Sequence, residues 1–250
     1  MLESKLETNK LRKLVWGIWP TIGFGLIVSI VQLLVQIAVA LVYRFVDSIS
    51  DPDFDSSVFA ENLDSDGLFL AIATIVSAVI CIGLIVLFVK LRKGITLSEY
   101  LGLKPITRKH IFVVIGVFIG LMILAGIASV FIGETEDSEF TTEVYNTSVW
   151  PVLFGIAVVV FAPAFEETFF RGFLFAGLRQ SPIGTAGAIA LTAIMWTLLH
   201  LQYEVSGMSV IFTLGIVLGI VRYKTGSLWT VILIHALWNL FAVLGAAAAE

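Results

Sequence analysis

Long apolar runs separated by short polar connections are the dominant pattern along the chain. The runs extend from residue 14 to residue 248, and several exceed the roughly 18 apolar residues that a helix needs to cross a bilayer. Backbone polar groups find no water inside a bilayer, so such runs fold as helices. The pattern predicts an all-α fold, a polytopic transmembrane helical bundle with about seven to eight spans.

The first half of the chain is predicted to contain a polar leader, residues 1–13, and three spans within residues 14–133. The spans are expected at residues 14–43, 68–89 and 111–132. The first run is so long that it requires tilt or a break near Pro20.

The charges of the connections alternate in sign and indicate the topology. Residues 45–66 and 133–148 are acidic, whereas the leader and residues 90–109 are basic. Because basic connections are retained in the cytoplasm, we expect the N-terminus and residues 90–109 on the cytoplasmic side. The net charge of −4 conceals this asymmetry, since the two signs lie in different connections.

The second half of the chain is predicted to form a helical core at residues 149–248. Its spans are expected at residues 150–178, 183–201, 208–221 and 228–248. Pro163 is expected to bend the first of these, which could also be one crossing plus a surface helix. Gly215 and Gly219 are four residues apart, a spacing that lets two helices pack closely.

Composition restricts the class of protein and its chemistry. The chain is 58% hydrophobic with a mean hydropathy of +1.00, which excludes an ordinary soluble domain. We expect an integral protein of a bacterial plasma membrane, in contact with the lipid bilayer and with no nucleic-acid partner. The single cysteine, Cys81, excludes an intrachain disulfide and a cysteine-based metal site.

Three charged residues lie inside the fourth apolar run. Ionisable side chains are costly within a membrane and usually carry function there. Glu167 and Arg171 are separated by four residues, so they share a helix face and can form an ion pair. The adjacent Glu166 points in another direction and is left free for chemistry. The spacing therefore predicts a structural role for Glu167 and a general-base role for Glu166.

Few other strongly polar side chains lie in the apolar runs. Together with Glu166, these few are suited to two alternative mechanisms of hydrolysis. His200 follows Trp196 by four residues, and Asn239 follows His235 by four. Glu166 and His200 can activate a water molecule, while His235 and Asn239 can stabilise an oxyanion. Glu166, His200 and His235 can alternatively serve as zinc ligands with a water in the fourth position. The cofactor therefore stays open, zinc or none.

These residues resemble the motifs of the CPBP family of intramembrane proteases, which includes CaaX prenyl endopeptidases and bacteriocin-immunity (Abi) proteins. The motifs are Glu166-Glu167-x-x-x-Arg171, an aromatic residue four before His200, and His235-x-x-x-Asn239. The resemblance covers about residues 151–240. Trp196 stands where the family usually has phenylalanine.

The resemblance implies a catalytic core at residues 149–248 and a role for each motif residue. Glu166 and His200 would activate water, and His235 and Asn239 would form the oxyanion site. The supporting residues would be Glu167, Arg171 and Trp196. The resemblance favours a glutamate-dependent reaction that needs no metal.

Two functions from different classes follow from this interpretation. The first is an intramembrane endopeptidase that cleaves a membrane-anchored or transmembrane protein. The second is a non-enzymatic immunity or scaffold protein that keeps the same helical bundle and binds a partner. Because all four candidate catalytic positions are filled, the sequence favours the enzyme.

Overall fold

The computed structural model describes residues 15–132 and 136–249, apart from the side chains of residues 128–132 and 136–139. Within these ranges every regular element is a helix. In chain order the helices are α1 (Ile18–Ser50), α2 (Ser56–Asn62), α3 (Gly67–Leu91), α4 (Leu97–Leu101), α5 (Arg108–Ile132), α6 (Glu136–Thr147), α7 (Pro151–Leu178), α8 (Gly184–Thr197), α9 (Val205–Thr225) and α10 (Leu228–Ala248). The predicted leader, residues 1–13, lies outside the described residues.

The helix lengths confirm a polytopic all-α bundle. In the described part of the chain, six helices are long and apolar enough to cross a membrane, namely α1, α3, α5, α7, α9 and α10. The predicted span at 183–201 is too long, because α8 ends at Thr197 after 14 residues and residues 198–203 form turns and bends. At 1.5 Å per residue α8 is about 21 Å long, shorter than the hydrocarbon core.

Helix α1 differs from its prediction at both ends. Pro20 lies in the first turn, where a missing N–H breaks no helical hydrogen bond, so the helix is not broken there and tilt is the alternative that stays a prediction. The helix continues past Tyr43 to Ser50 and includes Arg44 and Asp47, which the sequence assigned to a connection. The prediction ended the span at Tyr43 because polar residues begin there, but the helix continues through them to Ser50.

Both acidic connections contain helices. Helix α2 begins after Asp55, whose carboxylate accepts hydrogen bonds from the hydroxyl and backbone amide of Ser57. These bonds hold the pKa of the Asp55 carboxyl below its ordinary value. Helix α6 ends at Thr147, whose hydroxyl accepts from the Gly67 amide at 3.1 Å and donates to the Ser65 carbonyl at 2.5 Å. The two acidic connections therefore meet at one end of the bundle.

The basic connection folds against the opposite end. Thr96 and Glu99 form a reciprocal capping box at the start of α4, which also lowers the pKa of the Glu99 carboxyl. Helix α4 ends at Gly102, which has a φ of 71°. The carbonyl of Gly102 accepts a hydrogen bond from the Leu228 amide at 2.8 Å, so α4 is attached to the start of α10.

Helix α7 changes its hydrogen-bonding pattern twice. Residues 157–161 and 168–174 are π-helical, and the α-helical turn between them carries both glutamates. Pro163 follows the first π-helical segment, where the wider turn accommodates its missing N–H. The helical path continues through Pro163, so the predicted fourth span is one continuous segment.

Helices α8 and α9 pack closely at two glycines of α9. A side chain on Gly215 would meet Ala193 and Trp196 of α8 at 3.1–3.3 Å, and one on Gly219 would meet Ile189 at 2.8 Å. The close packing predicted for these two glycines is therefore present. This packing places Trp196 of α8 against Gly215 in the middle of α9. Trp196 also contacts Glu166 of α7.

Candidate active site

Glu167 and Arg171 form the buried centre of the site. The Arg171 Nη1 donates to Glu167 Oε1 at 2.9 Å, and both side chains are completely buried. The ion pair is the i,i+4 pair that the spacing predicts. Removing either partner would leave an uncompensated charge in a dry interior, so the pair acts as structural support.

Two further contacts fix the guanidinium of Arg171. Its Nη2 donates to the carbonyl of Gly215 on α9 at 3.2 Å. Its Cζ lies 4.6 Å from the centroid of the Trp196 ring, a cation–π distance. Arg171 therefore connects α7, α8 and α9 at the level of the glutamates.

His235 is bound to the same carboxylate oxygen as Arg171. Its Nδ1 lies 2.9 Å from Glu167 Oε1, and the imidazole is buried. A carboxylate partner at Nδ1 favours the proton on that nitrogen and fixes the orientation of the ring. Nε2 is then the ring nitrogen left for other partners.

Glu166 has a different environment from its neighbour. It is half-buried, whereas Glu167 has no exposed surface. Its Oε2 accepts a hydrogen bond from the indole Nε1 of Trp196 at 2.5 Å. The two adjacent carboxylates therefore differ in their partners and in their exposure. Glu167 is buried and bound to Arg171 and His235, whereas Glu166 is partly exposed and bound to Trp196.

Trp196 lies at the centre of the candidate residues. Its ring packs edge-on against His200 and against His235, with both centroid distances at 5.2 Å. The Nδ1 of His200 lies 2.8 Å from the Trp196 carbonyl oxygen, so this nitrogen carries the proton as a donor to the backbone. Trp196 therefore brings Glu166, His200 and His235 around one indole.

Asn239 joins the cluster from α10 through a separate contact. Its Nδ2 donates to the Val158 carbonyl at 2.8 Å, within the first π-helical segment of α7. His235 and Asn239 lie on one helix face, as their spacing predicts, yet their hydrogen bonds go to different parts of α7. The amide has a second N–H besides the one bound to Val158.

The proposed zinc ligands have other partners in the structure. Glu166 accepts from an indole N–H, while the Nδ1 atoms of His200 and His235 contact a backbone carbonyl and Glu167. Contacts of this kind at Nδ1 occur in histidines with and without a metal at Nε2, so they do not decide between the two mechanisms. Among the described residues, no three His, Cys, Asp or Glu side chains are grouped so that they could hold a metal ion. No step is therefore assigned to zinc, and metal dependence stays an open prediction.

Two contributors to the site were missed by the sequence interpretation, and the contact of a third was not predicted. Trp196 was expected among the supporting residues, but its N–H bond to Glu166 was not predicted. Tyr203 stacks on His200 with ring centroids 6.2 Å apart. Arg222 directly follows the span predicted at residues 208–221; it is buried and donates to the Arg171 carbonyl at 3.0 Å. An arginine at the end of an apolar run gives no local signal that distinguishes a surface charge from a buried donor.

Residues 148–241 match the family model described as type II CAAX prenyl endopeptidase Rce1-like. The matched segment contains every candidate site residue, from Glu166 to Asn239. This part of the chain is a CAAX protease family domain. No curated protein and no solved structure matches the chain significantly.

The CAAX protease domain comprises α7 to most of α10. Its family is one of membrane-embedded proteases, so the protein is an integral membrane protein whose surroundings are a lipid bilayer. The helices before residue 148, including α1, α3 and α5, lie outside the matched segment.

Proposed function

We propose that the protein is an intramembrane endopeptidase that hydrolyses a peptide bond in a membrane-anchored or transmembrane protein. The observation that carries the proposal is the different state of the two glutamates within a CAAX protease domain. Glu167 is buried and bound through Oε1 to both Arg171 and His235, whereas Glu166 is half-buried and accepts from the Trp196 indole, whose ring packs against His200. A partly accessible carboxylate in a protein interior is suited to take a proton from water.

The reaction begins with a water molecule held by Glu166 and His200. Glu166 takes one proton from this water, and the water oxygen forms a bond to the carbonyl carbon of the substrate peptide. The carbonyl electron pair moves to oxygen, which gives a tetrahedral oxyanion. Glu166 then passes the proton to the amide nitrogen, the C–N bond breaks, and a carboxylic acid and an amine leave.

His235 and Asn239 stabilise the oxyanion in this scheme. Asn239 supplies the N–H that is not bound to Val158, and His235 supplies Nε2–H as an imidazolium. With two carboxylates and one guanidinium nearby, an imidazolium brings the summed charge of the cluster to zero. Proton transfer to Glu166 then leaves one excess positive charge as the oxyanion forms. This positive charge favours hydrogen-bond donation from His235 and Asn239 to the oxyanion as the oxyanion forms.

The test is a comparison of membrane-protein fragments in cells that carry the wild type or Glu166→Gln. Glutamine keeps the shape of the side chain and removes the base, so cleavage should fall by about 10²–10⁴-fold. Glu61→Gln is the matched control, because Glu61 is an exposed glutamate on α2 and should leave cleavage unchanged.

Identical fragment patterns in wild type and Glu166→Gln would contradict the enzymatic function. If the bound membrane partners were also unchanged, that result would favour the immunity or scaffold function. Fragments that disappear in both Glu166→Gln and Glu61→Gln would instead indicate an effect unrelated to the site.

A further inference from the structure

Of the four candidate catalytic residues, His200 is the one that lies outside a helix. Helix α8 ends at Thr197, and His200 belongs to the connection of residues 198–204 that follows. Its backbone amide donates to the Thr197 carbonyl at 2.9 Å. Because connections are more mobile than the helices they join, the orientation of this imidazole depends on the contacts of its ring.

The His200 ring contacts two aromatic residues. Its Nδ1 binds the Trp196 carbonyl, and the Trp196 ring meets the imidazole edge-on. Tyr203 stacks on the imidazole at an interplanar angle of 14° with ring centroids 6.2 Å apart. Offset stacking at such a distance favours one relative orientation of the two rings. Tyr203 therefore adds a constraint that the hydrogen bond at Nδ1 does not supply.

Exposure distinguishes Tyr203 from its neighbours in the connection. Within residues 198–205, His200 and Tyr203 are half-buried, and the other residues are exposed. The backbone amide of Tyr203 donates to the His200 carbonyl at 3.2 Å, so a turn of the backbone brings these two side chains together. Both rings are thereby packed against the protein.

Helix α6 supports the Tyr203 ring through Phe140. The two rings meet edge-on at 81° with centroids 5.4 Å apart, a favourable aromatic geometry. Phe140 also packs against the buried cluster that contains Val144, Phe154 and Val243, in which α6, α7 and α10 meet. The Tyr203 ring is therefore held by a residue that is itself packed on the core.

This support comes from outside the CAAX protease domain. The matched segment begins at residue 148, whereas α6 ends at Thr147. Trp196, in contrast, contacts His200 from within the matched segment. The orientation of His200 therefore depends on both parts of the chain.

We propose that Tyr203 is a positioning residue for His200, and that Phe140 of α6 holds Tyr203 in place. This role rests on the proposed function, in which Glu166 and His200 hold the attacking water. A small displacement of a group that holds a reactant lowers the rate steeply. Because Tyr203 acts through His200, loss of its ring should lower kcat and leave KM nearly unchanged.

Tyr203→Leu and Tyr203→Phe separate the stacked ring from the hydroxyl. Leucine removes the ring and keeps an apolar side chain, whereas phenylalanine keeps the ring. Both constants are measured in mild detergent on a peptide spanning a cleavage site that Glu166→Gln abolishes. We expect Tyr203→Leu to lower kcat roughly 10- to 100-fold and Tyr203→Phe to preserve it. Tyr223→Leu is the matched control, because Tyr223 on α9 is exposed.

Phe140→Leu tests the support from α6. It should lower kcat by a smaller factor than Tyr203→Leu, because the Tyr203 ring itself remains. The matched control is Phe112→Leu, since Phe112 on α5 is exposed and should tolerate the change. If Tyr203→Leu does not accumulate in the membrane, Phe140→Leu on another helix tests the same contact.

A His200→Ala background shows whether Tyr203 acts through the imidazole. Adding Tyr203→Leu to His200→Ala should leave the residual rate unchanged, because the group that Tyr203 positions is already absent. A further loss by the same factor as in the wild type would overturn the proposal.

Nuclear magnetic resonance of the histidine rings provides a readout that needs no reaction. The chain has three histidines, His110, His200 and His235, so the signal that His200→Ala removes is that of His200. An aromatic ring shifts the resonances of nuclei stacked on it. Tyr203→Leu should therefore move the His200 signal, whereas Tyr203→Phe should leave it in place. The His110 signal, from the first turn of α5, is the internal control.

Three results would contradict the positioning role. The first is an unmoved His200 signal in Tyr203→Leu. The second is a raised KM with an unchanged kcat, because Tyr203 would then contact the substrate. The third is an equal loss of kcat in Tyr203→Leu and Tyr203→Phe, since the hydroxyl would then matter and not the ring. If the wild type cleaves no peptide, the proposed function fails, and the histidine signals still decide whether Tyr203 holds the His200 ring.

Discussion

Individual side chains in the site are distinguished by what they bind rather than by their chemical type. Glu166 and Glu167 are neighbours in sequence, yet one accepts from an indole and the other from a guanidinium and an imidazole. Substitutions at these positions should therefore separate activity from stability.

Glu167→Gln should destabilise the fold, whereas Glu166→Gln should leave stability nearly unchanged. Removing one partner of a fully buried ion pair costs about 3–5 kcal/mol, because the other charge is left without compensation. The free energy of unfolding, measured in mild detergent for both variants, checks this expectation. A stable but inactive Glu167→Gln beside an active Glu166→Gln would reverse the roles of the two glutamates.

Trp196→Phe should lower kcat while KM changes little. Phenylalanine keeps the aromatic packing between His200 and His235 but removes the N–H that holds Glu166. A hydrogen bond to a charged group contributes about 1.5–3 kcal/mol, so the expected loss is roughly 10- to 100-fold. The rate is measured on a peptide spanning a cleavage site identified from the cellular fragments.

Trp229→Phe is the matched control for this substitution. Trp229 lies on α10 and is substantially exposed, so the same change there should leave kcat intact. An unchanged kcat in Trp196→Phe would mean that the indole N–H does not position Glu166.

The local part of the site was predictable, and the contacts between helices were not. A separation of four residues is enough to predict the pairing of Glu167 with Arg171. The bonds from Trp196 to Glu166 and from Arg222 to the Arg171 carbonyl join residues 30 and 51 positions apart. Such contacts depend on how α8 and α9 pack against α7, and hydrophobic periodicity carries no information about that.

At the scale of helices, the apolar runs predicted the order of the elements better than their ends. Helix α1 continues beyond its apolar run as far as Ser50, because a helix need not end where the apolar residues end. Helix α8 ends at Thr197 although Leu198, Leu199 and Leu201 prolong the apolar run into turns. Hydropathy locates the membrane, whereas helix ends depend on caps and packing.

The end of α4 offers a direct test of such packing. Gly102→Ala should destabilise the protein by about 2–4 kcal/mol, because it combines a left-handed backbone with overpacking. A methyl group at Gly102 would meet the Arg222 guanidinium carbon at 2.7 Å and the Gly226 carbonyl oxygen at 2.8 Å. The carbonyl belongs to the backbone and cannot turn aside as a side chain can.

Gly184→Ala isolates the backbone contribution. Gly184 has a φ of 62° with no heavy atom within 4 Å of a built side chain, so alanine there should cost only about 1–2 kcal/mol. The two unfolding free energies are compared in the same detergent. Equal losses would show that the surroundings of Gly102 tolerate a methyl group and that the end of α4 is not tightly attached.

At the scale of the whole molecule, helix α8 is so short that the number of membrane crossings is ambiguous. The side on which the C-terminus lies does not depend on that number. Helices α8 and α9 are joined by residues 198–204 and pack closely, so they form an antiparallel pair whose outer ends lie on one side. Lys224, exposed in the last turn of α9, places that side with the basic connection. Helix α10 then crosses once more, whether or not α8 spans the bilayer.

The C-terminus should therefore lie on the non-cytoplasmic side, opposite the N-terminus. Alkaline phosphatase fused to the full chain after Glu250 should be active, since it folds only outside the cytoplasm, and green fluorescent protein fused there should be dark. The same reporters inserted beside Lys104 provide the control and should show the reverse pattern. A fluorescent C-terminal fusion with inactive phosphatase would mean that α8 and α9 do not return to the basic side.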